Sequence, residues 1–211
     1  MRIHYTSEEL CKNRDMSYLH KCNVDKKEYV ETKDTLEKSI KIIRDFYNID
    51  RLNLIADFCS GHTFNAFFAL TRNYTKYVWI HDIRFPKAAE KLPSYYLNYA
   101  SRIEHRQGNI FLNNYSFPEF SMVLSVHPCK DMSYRVAEIA IQNKVPLVIV
   151  PCCVGGRRKS WVDEFPNIDT HTRHAMKLTQ FIECNNYDIK IKTINKTYTP
   201  RNYIIIGTPK K

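Results

Sequence analysis

Glycine is scarce in this chain, which has only five glycines among its 211 residues. One of them, Gly61, lies in a turn of small residues, Cys-Ser-Gly-His-Thr at 59–63, between an apolar strand pattern and an apolar helix pattern. Dinucleotide-binding proteins need G-x-G-x-x-G at such a turn, because the pyrophosphate lies against bare backbone. A single glycine does not meet that need, so the sequence argues against a dinucleotide site.

Other absences restrict the class of protein. No apolar stretch approaches the ~20 residues that cross a bilayer, and the first residues lack the apolar region of a signal peptide. The seven cysteines are odd in number and do not follow regular disulfide spacings, which favours reduced thiols. We therefore expect a soluble protein of the cytoplasm that has no membrane partner.

The charge of the chain is strongly unbalanced. Its 32 Lys and Arg residues exceed its 22 Asp and Glu residues, which gives a formal net charge of +10. Such an excess, together with 13% aromatic residues, favours a polyanionic partner, and RNA is the partner that we expect. A basic surface that serves only solubility is the alternative.

Two parts of the chain differ in pattern. Residues 1–32 are polar and show no sustained periodicity, which predicts an N-terminal extension, whereas residues 33–211 are expected to form one domain. Asp34 and Glu37 form a capping pattern, and apolar residues at helical spacing predict an amphipathic helix from Asp34 to about Asn48. The domain is therefore expected to open with a helix.

Strand and helix patterns alternate after this helix. The predicted strands are 53–57, 76–81, 101–106, 120–126 and 145–150, and the predicted helices are 63–72, a stretch opened by Pro86, and 131–143. The last two strands contain runs that are apolar throughout, as in parallel strands covered on both faces. A helix at about 170–184 then leads to two strands, 189–194 and 203–206, which are close enough in sequence to pair as a hairpin. The sequence therefore predicts an α/β protein with a seven-stranded, mostly parallel sheet and an antiparallel last strand, which is the class I (Rossmann-like) methyltransferase plan.

Polar residues follow the predicted strands at their carboxyl ends, where ligands bind in open α/β sheets. Asp57 ends the first strand, and Asp82 lies 25 positions later, near the ~20-residue interval at which an acid meets a ribose in nucleotide folds. A nucleoside cofactor without pyrophosphate, such as S-adenosylmethionine (SAM), suits a turn that has one glycine. The residues expected to bind it are Asp57, Cys59, Ser60, Gly61, Asp82, Ile83, Asn109 and His127.

Four short blocks of the sequence belong together: Asp-Phe-Cys-Ser-Gly at 57–61, His-Pro-Cys at 127–129 with Asp131, Pro-Cys-Cys at 151–153, and Pro-Arg-Asn-Tyr-Ile-Ile-Ile at 200–206. With them, residues 33–207 resemble the methyltransferase domain of the tRNA acceptor-stem ribose 2′-O-methyltransferases and their uncharacterised methyltransferase-like relatives. The resemblance implies that the first block contacts SAM and that the acid after the second strand binds its ribose. It also implies that the His-x-Cys and Pro-Cys-Cys blocks face the site of methyl transfer. The chain departs from the family at Lys130, where glycine is usual, and after Cys153, where an aromatic residue and a histidine are usual.

Four residues of these blocks are candidates for the transfer chemistry, namely His127, Cys129, Cys152 and Cys153. His127 is a candidate general base, because an imidazole pKa of about 6.5 suits that work; a histidine that only hydrogen-bonds SAM or the backbone is the alternative. Pro128 and Cys129 also match the Pro-Cys loop of cytosine-5 methyltransferases, in which a thiolate adds to the pyrimidine ring. Cysteines that only pack around the methionine pocket are a further alternative. We expect no metal, because the adjacent Cys152 and Cys153 cannot easily direct both thiolates at one tetrahedral centre.

A basic stretch with an indole follows the Pro-Cys-Cys block, with the sequence Gly-Gly-Arg-Arg-Lys-Ser-Trp at 155–161. Cations neutralise phosphates and an indole stacks on bases, so Arg157, Arg158, Lys159 and Trp161 are the expected substrate contacts. A plain basic surface loop is the alternative. The whole sequence therefore predicts a SAM-dependent methyltransferase of a tRNA-like RNA. A catalytically inactive RNA-binding protein of the same fold and a small-molecule methyltransferase are the alternatives.

Overall fold

The computed structural model describes residues 26–61, 63–83, 97–112, 116–129, 131–152, 167–194 and 203–211. The helices are α1 (Lys26–Tyr47), α2 (Phe64–Thr71), the single turn α3 (Leu97–Ala100), α4 (Met132–Gln142) and α5 (Thr170–Cys184). The strands are β1 (Leu52–Phe58), β2 (Thr75–Asp82), β3 (Ile103–Gln107), β4 (Met122–Val126), β5 (Leu147–Val150), β6 (Tyr187–Thr193) and β7 (Tyr203–Pro209). Among the described helices, no apolar run reaches the length that a membrane span requires.

The seven strands form one sheet in the order β3-β2-β1-β4-β5-β7-β6. Strands β1 to β5 run parallel, and β7 runs antiparallel to both of its neighbours, β5 and β6. The strand order reverses between β1 and β4, so the crossover connections diverge there and leave a crevice at the carboxyl ends of these strands. Near that end, Asp57 of β1 pairs with Ile80 of β2 on one side and Leu124 of β4 on the other. The structure confirms the predicted fold class, including the reversed strand at the end of the chain.

Helices cover both faces of the sheet, which explains why β4 and β5 are almost entirely apolar. One face packs against α1 and α2 through side chains such as Leu36, Ile43 and Phe67, none of them more than 2% exposed. The other face packs against α4 and α5, which bury Val136 and Leu178 completely. Burial of each large apolar side chain stabilises the fold by about 1.5–3 kcal/mol. This core fixes the strand ends, where the polar side chains of interest lie.

Helix α1 begins at Lys26, so the prediction that it begins at Asp34 was wrong. Tertiary contacts support its first turns: the Tyr29 ring lies 6.0 Å from the Phe64 ring, and the Thr32 hydroxyl donates a hydrogen bond of 2.7 Å to Asn65 Oδ1. Packing of this kind supplies most of the stability of helices in proteins and overrides local propensity. The helix crosses the expected boundary at residue 32, and the division into an extension and a domain remains a prediction.

Strand β3 begins at Ile103 rather than at residue 101. Ser101 and Arg102 instead form a turn, in which the Arg102 guanidinium donates hydrogen bonds to the Lys76 carbonyl at 2.7 Å and to the Thr75 carbonyl at 3.0 Å. The other predicted elements agree with the structure to within a few residues. The helical stretch predicted from Pro86 lies mostly outside the described residues, which resume at α3.

Candidate functional site

The turn that joins β1 to α2 has an unusual backbone. Cys59, Gly61 and Thr63 have φ angles of 59°, 57° and 63°, in the left-handed region that favours glycine. A β-carbon at Gly61 would meet nothing within 4 Å, so the turn leaves open space beside this residue. The Cys59 N–H donates a hydrogen bond of 3.0 Å to the His81 carbonyl of β2, which holds the turn in place. Left-handed non-glycine residues cost on the order of 1–3 kcal/mol each, and such strain is concentrated at functional sites.

Asp57 lies at the end of β1 and is completely buried. The Ser60 hydroxyl donates a hydrogen bond of 2.6 Å to its Oδ2, and the Asn65 amide donates one of 3.5 Å to its Oδ1. Burial raises the pKa of Asp57 to about 7; the hydrogen bonds from Ser60 and Asn65 oppose this effect, and the charge of Asp82 adds to it. The carboxyl group therefore ties the turn to the start of α2, and both of its oxygens are engaged within the protein.

A cavity of about 250 Å³ lies beside this turn, at the carboxyl ends of β1 and β4. Residues of α1, of the turn, of the first turn of α2 and of the end of β4 line it. They are Glu31, Thr32, Cys59, Ser60, Gly61, Phe64, Asn65, Val126 and His127. The structure thus brings together four of the residues expected at the site, namely Cys59, Ser60, Gly61 and His127.

Asp82, the second expected acid, lies on the other side of the turn, at the end of β2. Its Oδ2 accepts a hydrogen bond of 3.3 Å from the Gly61 N–H. Ile83 is 62% exposed. Asn109 is exposed as well, and its side-chain oxygen accepts a hydrogen bond of 3.1 Å from the Phe111 N–H. These three expected residues lie along the same edge of the sheet as the cavity but are not among the residues that line it.

His127 follows β4 in a left-handed conformation, with a φ of 63°. Its ring Nε2 lies 2.7 Å from Oε2 of Glu31, whose side chain is only 2% exposed. An ionised carboxylate only accepts hydrogen bonds, so in this pair the neutral imidazole carries its proton on Nε2. Nδ1 then holds a lone pair; this atom is buried and accepts no hydrogen bond from the described part of the chain. The pair therefore has the chemistry of a base whose tautomer is set by a carboxylate.

Sulfur atoms lie close together at the carboxyl ends of three strands. Cys129 Sγ lies 3.7 Å from Cys152 Sγ and 3.7 Å from the His127 carbonyl oxygen, and Cys59 Sγ lies 3.6 Å from Met132 Sδ. Burial is the main cause that raises the pKa of Cys59 to about 12, and nearby carboxylates add to it. The Cys59 thiol is therefore protonated at neutral pH and unsuited to nucleophilic attack. Within the described ranges, no three metal-ligating side chains are grouped around one point.

Five expected site residues lie outside the described residues. They are the third candidate cysteine of the transfer site, Cys153, and the expected substrate contacts Arg157, Arg158, Lys159 and Trp161.

Five lining residues are not predicted from the sequence: Glu31, Thr32, Phe64, Asn65 and Val126. The sequence does contain an indication of Asn65, because it is a polar residue inside an apolar helix pattern. In the structure Asn65 is buried against Asp57. The sequence contains no such indication of Glu31 and Thr32, because the polar pattern around them is typical of a solvated extension. Their positions depend on the packing of α1 across the sheet.

Comparison with known proteins finds likeness only among solved structures. No protein-family model matches the chain, and no curated protein matches its sequence. The B. subtilis M1A22 tRNA methyltransferase TrmK is 14% identical with a TM-score of 0.54, over 82% of this chain and 65% of TrmK. A candidate SAM-dependent methyltransferase from Methanococcus maripaludis is 13% identical with a TM-score of 0.55, over 100% of this chain and 98% of the other. Human N-acetylserotonin methyltransferase in complex with SAM is 12% identical with a TM-score of 0.52, over 99% of this chain and 61% of the human one.

Because the sequence identities are low, these structural similarities establish the fold alone. They agree with the topology of the sheet, in which five parallel strands are followed by a hairpin that inserts the last strand antiparallel between β5 and β6. The chain has the fold of the class I SAM-dependent methyltransferases.

Proposed function

We propose that this chain is a SAM-dependent methyltransferase whose methyl acceptor is RNA. The observation that carries the proposal is the cavity at the turn after β1, in the crevice where open α/β sheets bind their ligands. Its volume of about 250 Å³ is close to the lower end of the range for small-molecule sites, ~300 to ~1,000 Å³. The Asp82 carboxylate adds a polar group 3.3 Å from the Gly61 nitrogen at the same turn.

The chemistry of these residues fits SAM. The open space beside Gly61 lets a ligand approach the backbone closely. Asp82, at the end of the second strand, offers carboxylate oxygens to ribose hydroxyls. Phe64 and Val126 supply apolar surface to the same cavity. The predicted cofactor contacts at Ile83 and Asn109 remain part of this proposal, whereas the buried Asp57 holds the turn through Ser60 and Asn65.

Catalysis by such a protein consists mainly of positioning. When bound, SAM supplies a methyl group that its sulfonium already activates, so the chain has to align an acceptor and exclude water. His127 is the base in this proposal: it takes the proton of an acceptor hydroxyl or amine at Nδ1, and because this atom is buried, the residues around it have to move to admit the acceptor. Glu31 holds the ring at 2.7 Å and fixes the tautomer that leaves Nδ1 unprotonated.

Two observations support RNA as the methyl acceptor, namely the net charge of the chain and its structural similarity to a tRNA methyltransferase. The formal net charge of +10 favours a polyanion, and TrmK, which shares the fold, is a tRNA methyltransferase. The expected contacts at Arg157, Arg158, Lys159 and Trp161 belong to the same proposal. A small-molecule acceptor is the second candidate, because the human N-acetylserotonin methyltransferase shares the fold as well.

Transfer of labelled methyl groups tests this function. The full chain is incubated with radiolabelled SAM and, separately, with total RNA, total protein and a metabolite extract. We expect label in the RNA fraction, and Glu31→Gln serves as the impaired comparison because it leaves the turn at Gly61 intact. Label confined to the metabolite fraction would overturn the RNA acceptor in favour of the second candidate. SAM binding without label in any fraction would contradict the assignment as an enzyme.

A further inference from the structure

Three arginine side chains converge on one short segment at the amino-terminal end of β2, the edge of the sheet opposite the cavity. Arg44 of α1 donates from Nη2 to the Asn73 carbonyl at 3.3 Å. Arg51 and Arg102 each donate from Nη2 to the same carbonyl oxygen, that of Thr75, at 3.0 Å. We call Arg44, Arg51 and Arg102 the arginine cluster. All three are partly exposed.

The arginine cluster concentrates positive charge, and no carboxylate among the described residues forms an ion pair with it. Since Arg51 and Arg102 share one acceptor oxygen, their Nη2 atoms lie within about 6 Å of each other. Burial lowers the pKa of Arg102, and the charge of Arg51 lowers it further. Asp45 and Glu104, which lie near these arginines in sequence, pair with other cations. Asp50 is exposed and forms no ion pair with a described residue.

Aromatic rings and a lysine extend the cluster. The Arg44 guanidinium lies 5.6 Å from the centroid of the Tyr74 ring, and that of Arg102 lies 5.6 Å from the centroid of the Tyr99 ring. Lys76, whose carbonyl accepts the Nε–H of Arg102, is itself exposed. Guanidinium groups that are already held by carbonyls and rings lose little further freedom when they bind an anion, and their remaining N–H groups match phosphate oxygens.

We propose that the arginine cluster, together with Lys76, is a docking surface for the phosphate backbone of RNA. A phosphate between two arginines supplies the negative charge that the cluster lacks. The eight residues of β2 span about 23 Å at about 3.3 Å each, which is the length of several nucleotide steps of an RNA helix. An RNA helix along this side of the protein therefore reaches from the cluster to the edge where Asp82 and the cavity lie. The inference rests on the RNA acceptor proposed above, but the binding itself needs neither SAM nor methyl transfer.

Binding of end-labelled, unfractionated tRNA, followed by fluorescence anisotropy without SAM, tests the surface. The wild type is compared with Arg51→Gln/Arg102→Gln and with the charge-matched control Lys190→Gln/Lys192→Gln, whose lysines are exposed on β6. Each phosphate contact contributes about 0.7–0.9 to the slope of log K against log salt. We therefore expect the arginine variant to bind about 30-fold more weakly at about 0.1 M salt, with a slope smaller by about 1.4–1.8. Equal losses in the arginine variant and the lysine control would overturn the proposal.

A second variant covers the case in which the double arginine variant does not fold, since both arginines also hold the Thr75 carbonyl. Lys76→Gln removes an exposed charge, and Lys190→Gln is its control. We expect a slope smaller by about 0.7–0.9 for Lys76→Gln only, with unchanged melting of both variants. An unchanged slope, or tighter binding of a DNA duplex than of tRNA, would contradict an RNA surface here. A chain that binds tRNA through the cluster but transfers no methyl group would refute the proposed activity and support this surface.

Discussion

Replacement of Asp57 by asparagine probes the electrostatics of the turn after β1. Burial raises the pKa of Asp57 from 3.8 to about 7. Between these two pH values, the folded protein keeps a proton that the unfolded chain has released. Because the folded state binds more protons there, the free energy of unfolding falls as the pH rises through this window, and the group adds no further loss above it.

The size of the effect follows from the two pKa values. A pKa difference of one corresponds to about 1.4 kcal/mol, so the buried carboxylate costs about 4 kcal/mol once it is ionised in both states. About two fifths of this cost is already present at pH 5. Asp57→Asn removes the pH-dependent cost because an amide does not ionise, and the amide keeps a donor and an acceptor for Ser60 and Asn65. We therefore expect the wild type to lose about 3 kcal/mol relative to the variant between pH 5 and pH 8.

Urea unfolding followed by circular dichroism at the two pH values measures this difference. The control is Asp188→Asn, which changes an exposed carboxylate on β6. We expect the control to follow the wild type at both pH values. A stability difference between wild type and Asp57→Asn that is the same at both pH values, or that grows in favour of the wild type as the pH rises, would refute the reasoning.

Three further substitutions test the site and the core. Glu31→Gln removes the carboxylate that holds His127. We therefore expect the rate of methyl transfer at saturating SAM to fall about 100-fold, with little change in the affinity for S-adenosylhomocysteine. A lower affinity at an unchanged rate would contradict a role of Glu31 in positioning His127. The sulfur of Cys129 packs against Cys152, so we expect Cys129→Ser to keep the rate of methyl transfer to within a few-fold. A fall in this rate of more than about 100-fold would instead identify Cys129 as a covalent nucleophile. The Tyr187 hydroxyl lies 2.9 Å from two backbone carbonyl oxygens. Tyr187→Phe should therefore lower the free energy of unfolding, measured in urea, by about 1–3 kcal/mol. An unchanged free energy of unfolding would contradict a stabilising role of this hydroxyl.

The fold can be predicted from the sequence wherever a strand is buried on both faces or two strands are close along the chain. The run 147–150 is apolar because helices cover both sides of β5, and the short connection before Tyr203 requires a hairpin. The start of α1 cannot be predicted in this way, because Tyr29 and Thr32 are ordered by contacts with α2 rather than by periodicity. Strand β3 starts late for a similar reason, since carbonyls of β2 hold Arg102 in a turn.

The candidate site is predictable only in part. The rule that ligands meet the carboxyl ends of parallel strands identifies Gly61 and His127, which line one cavity. The same rule says nothing of Glu31, because a helix that precedes the first strand has no fixed position relative to strand ends. The rule also cannot show that Asp57 is buried and accepts a hydrogen bond from Ser60. A carboxylate at a strand end gives the same sequence pattern whether its side chain faces a ligand or the core.

Calorimetric titration of the full chain with S-adenosylhomocysteine measures the cofactor site itself. We expect one binding site in the wild type and in Asp188→Ala, whose carboxylate is exposed on β6. The affinity of Asp82→Ala should fall by about 10- to 100-fold, because hydrogen bonds to a charged group are lost. No heat of binding in the wild type, or equal affinities of Asp82→Ala and Asp188→Ala, would contradict a SAM site at the turn after β1.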